Sequence, residues 1–338
     1  MAVKKTEATP KEKKINTKSL KDIPHLGPVS EAKFNALGVY TMRSLYTQYS
    51  ATNLHLIAGM TLDDATEAIL FVGDALEESG EIGKRRQTAF ELYQEQQKED
   101  VVSTGCKAFD GILGGGIKAG YVTEIYGENK SGKTQTCIAV CIEALLKDEN
   151  SMVLYIDAEN KLKIDRFVQI LLARGIIQKP EESSKYLDRM IIWTPTNSDE
   201  QIMYIQNASS LLDSDSKVSL MVIDSIISLF QSEYMERGVM KTKFNVIKPM
   251  MLNLMKLALT YKIPIFVVNT VYKSPTPDFG ADDVIPAGGN SVGHPLAYRI
   301  KVREVGSGKK HRALMVKSPE HAESEADFKI TDKGIEDV

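Results

Sequence analysis

Gly127-Glu128-Asn129-Lys130-Ser131-Gly132-Lys133-Thr134 is the stretch on which the reading of this chain turns. It is a complete GxxxxGK[ST] pattern, set directly after the apolar run Val122–Tyr126 and directly before a helix-forming run that begins near Thr134. The two glycines let backbone amides wrap phosphate oxygens. Lys133 offers a point charge to the β and γ oxygens, and the Thr134 hydroxyl is placed for Mg²⁺. A chance match somewhere in a chain of this length has a probability of order one in a hundred on average composition. The strand–loop–helix setting lowers it further, so ATP with Mg²⁺ is the expected ligand.

Working outward, a phosphate loop needs an acid for the metal. Leu220-Met221-Val222-Ile223-Asp224 is an apolar strand ending in one, which makes Asp224 the candidate. Hydrolysis also needs a group that orients water. Tyr155-Ile156-Asp157-Ala158-Glu159 ends the strand after the phosphate-loop helix, and in a parallel sheet strand C-terminal ends gather round the ligand. On residues alone Glu159 is either that group or an acid on a surface turn. Val122–Tyr126, Met152–Ile156, Met190–Trp193, Leu220–Ile223 and Ile265–Val268 are short β-branched apolar runs, with helical stretches such as Thr134–Leu146 and Phe244–Tyr261 between them. That alternation predicts an α/β fold with a mostly parallel, doubly covered sheet.

Upstream, residues 19–83 read as a small all-α domain. Ile23–Pro28 is a turn followed by the helical run Val29–Leu37, broken at Gly38. Leu56–Met60 and the run Leu62–Leu70 repeat the pattern, as in paired helix-hairpin-helix domains, where hairpin amides can face a phosphate. DNA binding and plain helical packing both fit these residues. Residues 84–102 read as a linker. The first 18 residues carry six lysines against Glu7 and Glu12, which suits either a solvated, disordered basic tail or one that touches phosphates or serves import.

The 338 residues are 43% apolar and 26% charged with a net charge of −3, an ordinary globular balance that excludes a wholly basic nucleic-acid coat. No apolar run approaches the roughly 18 residues of a spanning helix, so no membrane partner is expected. Cys106, Cys137 and Cys141 lack CxxC spacing and read as semi-buried thiols in a reducing compartment.

An ordered set of motifs surrounds the phosphate loop: Ser103-Thr104-Gly105, Leu113–Ile117, Gln135 after the loop, Asp157 with Glu159, Asp224-Ser225, Phe230 with Tyr234 and Arg237-Gly238, Asn269, Pro286 with Gly288-Gly289 and His294, and Ile330-Thr331 before Gly334-Ile335. Together with the helical domain in front, this set resembles the archaeal RadA recombinases and their eukaryotic strand-exchange relatives in the RecA superfamily. The resemblance spans residues 19–338. It implies a RecA-like P-loop ATPase core over 103–338 and a DNA-dependent ATPase that assembles on single-stranded DNA and promotes homologous pairing and strand exchange in repair.

The resemblance also implies roles. Lys133 and Glu159 become catalytic, Thr134 and Asp224 bind Mg²⁺, and residues 127–135 with Arg166 hold the nucleotide, Arg166 stacking on adenine. His294 relays nucleotide state between neighbouring subunits. Arg237, Lys241 and Lys243 fall in a first DNA-binding loop, Tyr234–Lys243, and Lys273, Gly288 and Gly289 in a second, 272–292. Partners would be single- and double-stranded DNA, further copies in a helical filament or ring, and recombination mediators. The location would be cytoplasmic and nucleoid-associated in an archaeal host, nuclear in a eukaryotic one.

Four positions depart from the family. Its Phe-x-x-Ala docking motif is Arg86-Gln87-Thr88-Ala89 here, with Phe90 one residue out of register. Its Asn-Gln pair is Asn269-Thr270, too short at Thr270 to reach as far. A Glu-Gly turn becomes Glu159-Asn160, and asparagine tolerates positive φ. An Asp-Ser-Pro becomes Lys317-Ser318-Pro319, so that the Lys317 ammonium either replaces a monovalent cation near the nucleotide, making hydrolysis independent of potassium, or points to solvent. Arg86 and Thr270 support a second reading, a non-polymerising recombinase paralogue that mediates or regulates. A third reading, a P-loop signalling ATPase without a DNA role, is opposed by the helical domain and the Arg237 segment.

Overall fold

A computed structural model describes residues 15–214, 217–233, 240–273, 284–306 and 310–338, with the side chains of 240–244 outside that description. The chain divides into two compact units, one ending at Gly83 and the other beginning at Lys84.

The first unit holds helices α1 (Pro28–Ala36), α2 (Met42–Gln48), α3 (Ala51–Ala58) and α4 (Leu62–Glu78). Apolar residues at helical spacing on α4, Ala65, Ala68, Val72, Ala75 and Leu76, close over Phe34, Leu45 and Leu54. The Thr61 hydroxyl accepts from the Asp64 amide at 3.1 Å, and Asp63 and Asp64 complement the dipole of the first turn. Gly59 ends α3 at φ 73°, and the last carbonyls of α3 accept from Ser30 Oγ (Ala58 O, 3.2 Å) and Lys33 Nζ (Ile57 O, 3.0 Å). Only this second copy of the repeat has a helix on both sides of its glycine turn. Ahead of α1 the chain from Ile15 to Gly27 makes turns, held by the Thr17 carbonyl accepting from the Met42 amide at 2.9 Å. The ordered unit thus takes in Ile15 and Thr17, ahead of residue 19. The tail's residues 1–14 lie outside the described residues.

The second unit opens with α5 (Ala89–Gln96), β1 (Val101–Val102), α6 (Lys107–Ile112), β2 (Ile117–Lys118), β3 (Val122–Tyr126) and α7 (Lys133–Lys147). It continues through β4 (Ser151–Asp157), α8 (Ile164–Ala173), α9 (Ser184–Leu187), β5 (Met190–Trp193), α10 (Ser198–Leu212), β6 (Lys217–Asp224) and α11 (Ser228–Glu233). Next come α12 (Met240–Tyr261), β7 (Ile265–Asn269), β8 (Val271–Lys273), β9 (Val284–Pro286) and α13 (Gly289–Gly293). Strands β10 (Tyr298–Val305), β11 (Lys310–Lys317), β12 (Ser324–Thr331) and β13 (Gly334–Asp337) close the chain.

A nine-stranded sheet runs in the order β13-β12-β11-β10-β3-β7-β6-β4-β5, parallel from β10 to β5 and antiparallel from β10 to β13. Its strands feed two cores alternately. Val153, Tyr155, Val222, Phe266 and Val268 face the side covered by α7, while Leu154, Ile156, Ile223, Ile265 and Val267 face the side covered by α10 and α12. Burial on both faces is why the parallel strands read as unbroken apolar runs. The predicted linker contains α5, capped by a Thr88–Glu91 box in which the Glu91 carboxylate accepts from the Thr88 amide at 2.9 Å, and none of its residues is buried. All three cysteines are fully buried, not semi-buried, because Cys106, Cys137 and Cys141 point into the α7-side core.

Candidate nucleotide-binding site

The phosphate loop connects β3 to α7 as expected. Gly132, at φ 98°, is the N-cap of α7 and brings no side-chain cap, so the first-turn amides are left for an anion. A Cβ on Gly127 would sit 2.1 Å from the Val302 carbonyl oxygen, and one on Gly132 would sit 3.0 Å from Ile330 Cδ1. The loop therefore packs directly on the C-terminal strands; backbone proximity requires glycine at 127, and the positive φ requires it at 132. The hydroxyl of Ser131 is buried without a hydrogen-bond partner, an unsatisfied donor that a phosphate oxygen would engage. Lys133 Nζ folds back to the carbonyls of Gly127 (2.8 Å) and Glu128 (2.7 Å). Burial lowers its pKa, and Asp224 and Glu159 oppose that shift.

Strand register delivers the acids. β4 and β6 pair so that Asp157 stands beside Asp224 at the C-terminal end of the sheet. The Thr134 hydroxyl donates to Asp224 Oδ2 at 2.8 Å, and the Tyr155 hydroxyl donates to the same oxygen at 3.0 Å. Burial pushes the Asp224 carboxyl up to about 6. A hydroxyl and a carboxylate held together at the mouth of a phosphate loop form the hard-oxygen pair that Mg²⁺ takes with phosphate oxygens, so the residues fit the ion. Among the described residues no cluster of three His, Cys, Asp or Glu forms an all-protein metal cage, and Mg²⁺ shared with substrate phosphates needs none. Asp157 is committed to structure: its carboxylate accepts from the amides of Lys161 (3.1 Å) and Leu162 (2.9 Å), fixing the turn in which Asn160 takes φ 52°. That turn presents Glu159, whose carboxylate is paired with Lys161 Nζ.

At the other flank, Arg166 Nε donates to Gln135 Oε1 at 2.9 Å, its Nη1 to Gln169 Oε1 at 2.8 Å, and its Nη2 to the Thr331 carbonyl. The guanidinium is thereby tied to the helix that follows the phosphate loop. Lys130, at φ 67°, completes the loop.

The predicted DNA-binding residues are distributed differently. Arg237 lies outside the described residues. Lys241 and Lys243 fall on the first turns of α12, not in a loop, because the helix begins at Met240, ahead of the apolar run at Phe244 that marked its start in the sequence. β8 and β9 form a hairpin stem with Tyr272 opposite Ile285, so that only the excursion 274–283 lies outside the described residues. Lys273 lines a cavity of about 600 Å³ together with Gly127, Glu128 and Asn129, which places it beside the phosphate loop. Gly288, at φ 80°, and Gly289, at φ 51°, turn the chain into α13. His294 caps that helix and is exposed. Lys317 is not simply solvated, since its ammonium donates to the carbonyls of Gly293 (3.3 Å) and His294 (3.2 Å).

Sequence reasoning missed three polar groups at this end of the sheet. Tyr155 was visible only as an apolar strand residue. Glu124, wholly buried on β3, accepts from Asn269 Nδ2 at 2.7 Å and from Arg299 Nε at 2.5 Å. Breaking such a buried pair costs about 3–5 kcal/mol. An acid inside an apolar strand was the available signal. Gln231 gave none.

A family model described as Rad51 matches residues 96–338. The chain is 32% identical over 328 residues to a protein named DNA repair and recombination protein RadA from Cenarchaeum symbiosum, covering 96% of this chain and 80% of the relative. It is 30% identical over 331 residues to a protein of the same name from Metallosphaera sedula, covering 97% and 98%. With the phosphate loop, the Thr134–Asp224 pair and the RecA-like sheet in place, these matches establish that the chain belongs to the Rad51 family.

Proposed function

We propose that this protein is a DNA repair and recombination recombinase: a DNA-dependent ATPase that assembles on single-stranded DNA and promotes homologous pairing and strand exchange. The observation that carries the reading is the Thr134–Asp224 hydrogen bond at the mouth of the loop bearing Lys133, in a chain similar over nearly its whole length to proteins named for DNA repair and recombination.

Each side chain has a task in hydrolysis. Lys133 and the first-turn amides of α7 bind the phosphates. Thr134 and Asp224 would hold Mg²⁺, which when bound neutralises charge on the phosphate oxygens. Glu159, freed from Lys161, would orient the attacking water and accept its proton. Arg166, braced by Gln135 and Gln169, would cover the base. DNA backbone contacts would come from Arg237, Lys241, Lys243, Lys273 and the glycines Gly288 and Gly289, binding without reading sequence. The helical unit before residue 84 would add a second DNA contact, and His294 would relay nucleotide state to a neighbouring copy.

Self-assembly would run through α5, whose Phe90 and Tyr93 share a face and are 66% and 57% exposed. Arg86 precedes the helix cap and supplies no anchor, so Phe90 would take that part on a second copy of this chain. Among the described residues no helix is long and apolar enough to cross a membrane. With the two relatives archaeal, the cytoplasm, alongside the nucleoid, is the location we assign.

Electron microscopy of the full chain with ATP, Mg²⁺ and long single-stranded DNA tests the reading. Regular helical filaments are expected. DNA coated without regular order would move the chain to the non-polymerising reading, and bare DNA would overturn a DNA role.

A further inference from the structure

The cavity beside the phosphate loop has one wall made by Glu128 and Asn129 and another by Thr270, Tyr272 and Lys273. Gln231, from α11, reaches the same cavity. Its Nε2 donates to the Tyr272 hydroxyl at 2.5 Å, and its Oε1 accepts from Thr270 Oγ1 at 3.4 Å. Thr270 and Tyr272 are two apart on an extended chain and so present their side chains to the same side. One amide therefore spans both.

The position of that amide in the chain matters as much as its contacts. α11 ends at Glu233, just before the segment that carries Arg237, and β8 ends at Lys273, just before 274–283. Gln231 thus stands on the stem of one predicted DNA-binding segment, holds the stem of the other, and faces the phosphate loop.

The floor beneath it is fixed. Asn269 Oδ1 accepts from the Thr270 amide at 2.8 Å, and its Nδ2 donates to buried Glu124 and to the Ala287 carbonyl at 2.8 Å. The Ala287 amide closes the excursion by donating to the Thr270 carbonyl at 2.9 Å. Gln231 itself joins the wall through its side-chain bonds to Thr270 and Tyr272, at a partly exposed position. An anionic oxygen is a stronger acceptor for an amide N–H than a phenol oxygen. A terminal phosphate entering the cavity past Asn129 would therefore take the Gln231 donor from Tyr272.

We propose that Gln231 is the nucleotide-sensing side chain of this protein, its amide donating to Tyr272 when the cavity holds no anion and to the terminal phosphate when it does, so that β8 is re-seated with nucleotide state. The proposal rests on the ATP-driven recombinase reading above. It assigns the coupling between nucleotide and DNA to a residue outside the phosphate loop and outside Thr270.

The test is fluorescence anisotropy of labelled oligodeoxythymidylate with the full chain and Mg²⁺, comparing DNA affinity with a non-hydrolysable ATP analogue and with ADP. The wild type is expected to bind DNA more tightly with the ATP analogue, by a factor within the usual coupling range of about 5–150. Gln231→Ala should bring that ratio near one. Tyr272→Phe, which removes only the hydroxyl, should lower it at least about twofold, a change well inside that coupling range. Thermal melting of both variants confirms the fold. Variants that weaken DNA binding in both nucleotide states alike, leaving the ratio as in the wild type, would overturn the proposal and leave the recombinase reading standing. A wild type with equal affinity in both states would overturn the recombinase reading and the proposal together.

Discussion

At the residue scale the site depends on a few atoms whose roles separate cleanly. Lys133 and Thr134 are the proposed phosphate and cation ligands, Asp224 has its carboxyl raised to about 6 by burial, and Glu159 is held by Lys161. If Glu159 accepts the proton of the attacking water, Glu159→Gln should lower the steady-state rate of phosphate release by about 10²–10⁴-fold. The KM for ATP should change little, because Glu159 is not among the groups that hold the phosphates. A rate close to wild type would return Glu159 to being the surface acid that the sequence alone equally allowed. The glycines and Lys133 were legible in the sequence because their spacing is itself the chemistry. Tyr155 and Gln231 were not. A hydroxyl aimed at Asp224 from the neighbouring strand, or an amide spanning Thr270 and Tyr272, exists only once β4 meets β6 and α11 meets β8.

Elements show the same division. The parallel strands were legible because both faces are buried. The antiparallel extension β10–β13 was not, because its exposed face carries Lys310, Arg312, Glu325 and Lys329 among the apolar residues and breaks the run. Helix α5 is short and its second half is polar, so its capping box is the clearer mark of it. The extension matters for the site. On β11, His311 stacks on Phe328 with ring centroids 5.3 Å apart, beside the Ser131 backbone, and its Nδ1 is buried without a partner. Burial lowers the His311 pKa below its ordinary value of about 6.5. The native state thus prefers the neutral ring. The stability this gives is fully present above the unfolded pKa and is lost as pH falls through the lower folded value. Melting curves between pH 7.5 and pH 5, conditions that bracket an ordinary imidazole of about 6.5, should show a smaller acid-induced drop in Tm for His311→Gln than for the wild type. An equal drop in both would remove His311 from the support of the phosphate loop.

On the scale of the whole molecule, two compact units carry the chain, and the candidate nucleotide-site residues collect where the parallel strands of the larger unit end. Among the faces left exposed is that of α5, with Phe90 and Tyr93 largely in solvent and no residue of the helix buried. Burying a phenylalanine contributes about 1.5–3 kcal/mol, or roughly 10–100-fold in association. Phe90→Glu should accordingly shift the oligomer distribution toward single copies by that order in light scattering at a fixed concentration, with Tm little changed because the side chain is mostly exposed within its own unit. An unchanged distribution would exclude Phe90 as the anchor. The departure at Arg86 was plain in the sequence. That Thr88 caps a helix offering Phe90 in its place needed the fold.

In the function proposed above, the loop bearing Lys133 is the ATP end of a DNA-coupled machine. Its most direct test is phosphate release by the full chain with ATP and Mg²⁺, in the presence and absence of single-stranded DNA, for the wild type and for Lys133→Ala. The expected result is hydrolysis that rises with DNA in the wild type and is absent from the variant in both conditions. Hydrolysis indifferent to DNA, or surviving the loss of Lys133, would contradict it.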